Sequence, residues 1–218
     1  MKAVVVASGD VEPGDLRLVD GADLVVAADG GVEALVAAGQ RADLLIGDLD
    51  STDPALVERV AGDGTRVQRH PADKEASDTE LAVRAAAGAG ASELVLLGAT
   101  GGDRLDHELA NVLLLGDPLL AGIDARIVRG DSTLRVLRGG EMLVPAVPVG
   151  GLVTLLAVGG DARGVTTAGL RWPLAAATLA AGGSRGLSNE VIETPASVRL
   201  EHGMLLVVET AIEGAHAS

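Results

Sequence analysis

LLIGDLDSTDPALVERVA, residues 44–61, passes from an apolar triplet through a polar turn into a helical pattern. Leu44–Ile46 reads as a short buried strand. Glycine and two aspartates interrupt it at Gly47–Ser51. Asp53 then stands where an N-cap belongs and Pro54 at the first helical position, so Pro54–Ala61 is expected to be a helix. The same strand–loop–helix alternation recurs on both sides. Strands are expected at Ala3–Ala7, Leu24–Ala28, Arg66–Gln68, Glu93–Leu97 and Ala125–Val128. Further helices are expected at Gly31–Ala38, Asp78–Ala87 and Arg104–Leu115. Alternation of this kind builds a parallel sheet covered by helices.

The texture changes near Gly130. Helical periodicity fades, and short apolar runs are broken by Gly and Pro: Thr133–Leu137, Glu141–Val144, Leu152–Val158, Gly164–Leu170, Val198–Leu200 and Leu205–Val208. Glu201-His202-Gly203 reads as a hairpin turn joining the last two. The expected architecture is α/β: a mostly parallel, Rossmann-like domain over residues 1–130, then an antiparallel β-sandwich domain over 131–218.

Composition narrows the function. The 218 residues suffice for a substantial core, and 48% hydrophobic with 22% charged residues is a globular balance. The net charge of −14, from 17 Lys+Arg against 31 Asp+Glu, repels nucleic-acid backbones. A phosphate handled here must arrive with a metal ion or meet a local basic pocket. With no cysteine, disulfides, thiol catalysis and cysteinyl metal sites are excluded. His70, His107, His202 and His216 do not have zinc-site spacing. The apolar run in MKAVVVASGD is too short for a signal peptide and no run is long enough to span a bilayer, so a cytoplasmic chain is expected. There is no Phe or Tyr, and Trp172 is the sole aromatic residue. The core must therefore be aliphatic.

In an open parallel sheet, ligands bind beyond the carboxyl ends of the strands. Those ends here carry Ser8-Gly9-Asp10, Asp29-Gly30-Gly31, Gly47–Ser51, His70 and Gly98–Gly102. Asp48 and Asp50, two apart on an extended segment, would face one point. Two carboxylates about 4 Å apart repel by about 4 kcal/mol at an effective dielectric near 20, a cost that a divalent cation removes. The other reading is a solvated acidic turn. Asp78 opens a helix, where a negative charge is favourable in any case, and Ser77 to Glu80 has capping-box spacing. Lys74 is either a phosphate-steering group or an exposed loop lysine.

On the fourth helix Arg104, His107, Glu108 and Asn111 share a polar face, and Leu105, Leu109, Val112 and Leu113 form a stripe expected to be buried. Arg104, behind two glycines, can bind two phosphate oxygens with its fork; Asp106 reads as a helix cap. Trp172 is either a stacking plate for a heteroaromatic ligand or a core filler. Ser188-Asn189 is either a turn or a hydrogen-bonding ligand arm.

ADGG at 28–31, GDLDS at 47–51, KEASDTE at 74–80, GATGGDRLDH at 98–107 with Asn111, and GLRW…SRGLSNE at 169–190 occur in that order. In this combination the chain resembles the thiamine pyrophosphokinase (thiamine diphosphokinase) family, with two departures. Glu75 and Ser77 replace a commoner Asp and Thr, and Asp103 is an extra residue before Arg104. The resemblance implies transfer of the pyrophosphoryl group of ATP to the hydroxyl of thiamine, giving thiamine diphosphate and AMP. It implies that Asp48, Asp50 and Asp78 are the catalytic, magnesium-binding carboxylates, and that Lys74, Ser77, Arg104 and Asp106 hold the co-substrate ATP. It places Asp29 near thiamine and metal, with Trp172, Ser188 and Asn189 shaping the thiamine pocket from the partner subunit of a homodimer. The alternatives are a pyrophosphokinase for another alcohol, such as a hydroxymethylpterin, and a non-catalytic sensor of thiamine diphosphate or nucleotide.

Overall fold

A computed structural model describes residues 1–50, 52–73 and 75–212. The chain forms two compact units, Met1–Gly130 and Asp131–Ser218.

The first unit runs β1 (Lys2–Val6), β2 (Leu24–Ala28), α1 (Gly31–Ala37), β3 (Leu44–Gly47), α2 (Pro54–Gly62), β4 (Arg66–Arg69), α3 (Asp78–Gly88), β5 (Glu93–Leu97), α4 (Leu105–Leu114) and β6 (Asp124–Arg129). Its strands lie in the order β6-β5-β1-β2-β3-β4, every pair parallel. Ala3, Val4, Val5 and Val6 are all fully buried, so β1 is covered on both faces, as a central parallel strand requires. Val4, Val6, Ala27 and Leu45 pack with Val32 and Leu35 of α1 in one aliphatic cluster, and α3 packs against β1, β2 and β3. Each fully buried Val or Leu contributes about 1.5–3 kcal/mol of transfer free energy, so aliphatic side chains alone can sustain this core. The helix starts form as read: the Asp53 carboxylate accepts from the Ala55 amide at 3.0 Å and the Ser77 hydroxyl from the Glu80 amide at 3.1 Å.

Helix α4 departs from expectation. Leu105, Leu109 and Leu113 are 67%, 55% and 65% exposed rather than buried, and Asn111 is the helix's buried residue. Periodicity correctly grouped the leucines on one side, but polar bonds from Glu108 and Asn111 turn the opposite side inward.

The second unit contains β7 (Ser132–Arg138), β8 (Met142–Leu143), β9 (Leu152–Ala157), β10 (Ala162–Ala168), β11 (Ala177–Leu179), β12 (Asn189–Glu190), β13 (Ser197–Arg199) and β14 (Met204–Thr210). Its strands form two antiparallel layers, β12-β9-β14-β7 and β11-β10-β13-β8. Leu137, Val153, Leu155, Leu205 and Val207 of the first layer share one core with Val165, Leu179 and Val198 of the second. This is a β-sandwich. The expected hairpin at Glu201-His202-Gly203 is instead a crossing between layers, because β13 pairs with β10 and β8 while β14 pairs with β7 and β9.

Candidate active site

In the first sheet β1 and β5 are neighbours, and the chain departs in opposite directions from this pair: β2, β3, β4 to one side and β6 to the other. That is a topological switch point, where the loops leaving the two strands separate and open a crevice. Here the crevice is a cavity of about 720 Å³. Its walls come from the loops after β1, β2, β3, β4 and β5 and from the amino ends of α3 and α4.

The two central loops interlock through backbone. The Gly9 amide donates to Gly98 O at 2.8 Å and the Asp10 amide to Thr100 O at 3.2 Å. A Cβ on Gly9 would sit 2.5 Å from Gly98 O, so only glycine permits this approach.

Of the expected residues, the cavity gathers Asp29, Asp48, Asp50, Ser77, Asp78 and Arg104. Asp29 adopts a left-handed φ of 46°, a conformation that costs a non-glycine residue energy and concentrates at functional sites. Its amide donates to Ile46 O at 2.8 Å and its carboxylate accepts from the Thr52 hydroxyl at 3.3 Å, which aims it. Asp48 and Asp50 reach the cavity differently from the extended geometry expected. Leu49 between them has a φ of 59° and is buried, and the Asp50 amide donates to Asp48 Oδ1 at 3.3 Å. A tight turn anchored by a buried leucine thus presents the two acids. Asp78 is the first residue of α3, where the helix dipole favours its charge. Ser77, whose hydroxyl caps that helix, lies beside it. Lys74 lies outside the described residues.

Arg104 and Asp106 form a two-pronged pair, Nε to Oδ1 at 3.0 Å and Nη2 to Oδ2 at 2.7 Å, both side chains well exposed. The hydrogen bond from Arg104 holds the Asp106 carboxyl well below the usual carboxylate range, and the carboxylate raises the guanidinium in turn. Arg104 lines the cavity; Asp106 stands behind it rather than in the wall. The expected capping role of Asp106 therefore gives way to an ion pair that orients Arg104.

Could the acids hold a magnesium ion? Among the described residues no three His, Asp or Glu side chains are already drawn together as a metal cluster. Magnesium needs no such cage, since it keeps several waters and takes one or two carboxylates plus phosphate oxygens. Among the described residues seven carboxylates line this one crevice, Asp29, Asp48, Asp50, Glu75, Asp78, Asp103 and Glu108, and in a protein of net charge −14 they make phosphate entry costly without a cation. The donor set therefore fits magnesium held jointly by protein and substrate.

Trp172, Ser188 and Asn189 belong to the second unit. Trp172 is 59% exposed, which excludes the core-filler reading. Its backbone is clamped by Asn189, which is 6% exposed: the Trp172 amide donates to Oδ1 at 3.0 Å, and Nδ2 donates to Trp172 O at 2.7 Å. Arg171 and Glu190 pair alongside at 2.8 and 3.0 Å. Ser188 has a φ of 53° and its amide donates to the Thr154 hydroxyl at 2.9 Å. The sole aromatic residue of the chain is thus held outward, its backbone fixed by a buried side chain.

Glu108 and Asn111, among the lining residues with no assigned role, bond to the loop after β5. Glu108 accepts from the Gly101 amide and Asn111 donates to Ala99 O. Their i, i+3 spacing opposite a glycine-rich loop is the sequence signal that could have found them.

Against known proteins, residues 16–126 match the thiamin pyrophosphokinase catalytic domain and residues 143–205 the thiamin pyrophosphokinase vitamin B1 binding domain. A thiamine pyrophosphokinase of Bacillus subtilis is 24% identical over 187 residues, spanning 86% of this chain and 87% of its own. The crystal structure of the thiamin pyrophosphokinase from Geobacillus thermodenitrificans superposes with a TM-score of 0.84 at 29% identity, covering 99% of this chain and all of that one. A thiamin pyrophosphokinase family protein from Enterococcus faecalis gives 0.82 at 26% identity, covering 98% of this chain and 100% of that one.

Proposed function

The chain belongs to the thiamine pyrophosphokinase family and is an enzyme, and we propose that the first-unit cavity is where it moves the pyrophosphoryl group of ATP to thiamine. One observation carries this site assignment. Asp29, Asp48, Asp50, Asp78 and Arg104 converge on the switch-point crevice inside the segment matching the catalytic domain. The vitamin B1 binding match over residues 143–205 argues against another acceptor alcohol, and the full acid set against a pure sensor.

In the reaction the hydroxyl oxygen of thiamine bonds to the β-phosphorus of ATP while the bond from that phosphorus to the α–β bridging oxygen breaks. AMP leaves with the bridging oxygen, and the products are thiamine diphosphate and AMP. The protein's task is to position the reactants and to stabilise the charge that shifts. Asp48, Asp50 and Asp78 would hold magnesium, which when bound neutralises phosphate charge. Arg104, oriented by Asp106, sets a guanidinium against the phosphates, and Lys74 adds a second cation. Asp29, fixed by Thr52, orients the acceptor alcohol.

The finer assembly is also proposed here. The leucine stripe of α4 leaves three large apolar side chains in water, each forgoing about 1.5–3 kcal/mol of burial. That exposure supports a homodimer in which the partner brings Trp172, Ser188 and Asn189 to the thiamine. A monomer in sedimentation equilibrium at micromolar concentration would overturn this assembly. No helix among the described residues is long and apolar enough to cross a membrane, in keeping with a cytoplasmic enzyme.

The deciding experiment incubates the protein with thiamine, ATP and Mg²⁺, with an EDTA control. Thiamine diphosphate and AMP are expected in equal amounts and only with the metal. AMP without thiamine diphosphate would move the acceptor to another alcohol. Neither product from folded protein would revive the sensor reading.

A further inference from the structure

Helix α4 sends two side chains back to the loop that follows β5. Asn111 is buried, and its Nδ2 donates to Ala99 O at 2.8 Å. Half-buried Glu108 accepts the Gly101 amide on Oε2 at 3.1 Å. Residues one helical turn apart thus hold the two consecutive peptide groups on either side of Thr100. That loop needs holding. Gly98, Gly101 and Gly102 all have positive φ, at 60°, 81° and 83°, and glycine loses more backbone freedom on ordering than any other residue.

The location gives the two bonds a functional sense. Gly98, Ala99, Gly101 and Gly102 line the crevice beside the acids and Arg104. The inward face of this helix carries a carboxylate and an amide, both bonded to the backbone of that loop.

We propose that Glu108 and Asn111 are positioning residues that fix the Gly98–Gly102 loop as the wall against which the nucleotide phosphates lie. This rests on the ATP-dependent reaction assigned above. Neither residue touches reacting atoms; both act through the loop.

The test uses the full-length protein and the variants Glu108→Ala, Glu108→Gln and Asn111→Asp. Gln keeps an oxygen that can accept the Gly101 amide, whereas Asp in place of Asn111 sets an acceptor against Ala99 O. Three quantities are read: amide hydrogen exchange over residues 98–104, ATP affinity by direct titration, and steady-state kcat and KM. In Glu108→Ala and Asn111→Asp, exchange in the loop is expected to rise about tenfold or more while β1 stays protected. ATP affinity is expected to fall about tenfold, with KM for ATP rising to match and kcat changing less than about threefold. Glu108→Gln restores exchange and affinity. Faster exchange with unchanged ATP affinity would make the bonds merely structural, and unchanged exchange in both variants would remove the idea altogether. Should Asn111→Asp fail to fold, the half-buried Glu108 pair decides alone. A wild-type protein that binds ATP yet forms no thiamine diphosphate would sink the assigned reaction, while the titration and exchange data would still judge the loop.

Discussion

The acid-lined crevice of the first unit and the Trp172 segment of the second solve the same problem by opposite means. In the crevice, each side chain is aimed by its own neighbourhood. The left-handed φ of Asp29, the buried Leu49 between Asp48 and Asp50, and the Ser77 cap next to Asp78 act within a few residues of the group they orient, and Asp29 takes a further bond from afar, from Thr52. Trp172 is held from a distance, by an asparagine 17 residues further along that binds its backbone on both sides. Local control suits charges, whose positions must be set against one another. Remote control suits an aromatic plate, whose face must stay open while its backbone is fixed.

The largest effect should come from breaking the local side. Asp50→Asn keeps shape and removes charge. Turnover is expected to fall about a hundredfold or more, which is about 2.7 kcal/mol of lost transition-state stabilisation. Because Asp50 is exposed, thermal stability should hold. Steady-state rates across a Mg²⁺ titration, beside a melting curve, check both points. Near-normal turnover at saturating metal would remove Asp50 from the site.

How much of this contrast could be read in advance follows the same division between local and remote. Leu44–Ile46, Gly47, Asp53 and Pro54 announce a strand, a turn and a capped helix because each signal concerns neighbours in sequence. Asp48 and Asp50 were found as a pair, though the left-handed Leu49 that presents them was not, since nothing in a leucine advertises positive φ. Periodicity places Leu105, Leu109 and Leu113 on one side of α4 but does not say which side turns inward. That choice is made by Asn111 and Glu108 bonding to a loop 7 to 12 residues away. Likewise Glu201-His202-Gly203 looks like a hairpin, and only the long-range pairing of β13 and β14 into different layers shows that it is a crossing. The exposure of Trp172 was undecidable for the same reason.

A middle-sized effect separates plate from clamp in the second unit. Trp172→Ala should raise KM for thiamine about 5- to 150-fold, the range of losing about 1–3 kcal/mol of stacking on a heteroaromatic ring. KM for ATP and the melting temperature should stay near wild type, because Trp172 is largely exposed. Asn189→Ala should weaken thiamine in the same direction and also lower stability by about 1–3 kcal/mol, since it strips partners from the Trp172 amide and carbonyl. Kinetics paired with denaturant unfolding tell them apart. An Asn189→Ala protein as stable as wild type would mean that the clamp is dispensable and the contrast with the crevice is overdrawn.

The smallest effect concerns the exposed ion pair of Arg104 and Asp106 at the crevice. Asp106 engages Nε and Nη2 of Arg104. Asp106→Asn keeps at best one of the two prongs, so Arg104 samples more orientations, and KM for ATP should rise about two- to fivefold with kcat unchanged. The pH dependence has a definite sign. Because the Arg104 hydrogen bond lowers the Asp106 carboxyl in the folded protein, the ion pair is complete above the ordinary carboxylate range. It is lost only as pH falls through the still lower folded value. In wild type, KM for ATP should therefore show no inflection from this pair between about pH 5 and 9, where an unperturbed carboxyl near 3.9 is already ionised too. The ratio of variant to wild-type KM should stay constant over that span. A ratio that collapses toward one at the acid end would mean that the pair opens there, and that Arg104 is positioned by something other than Asp106.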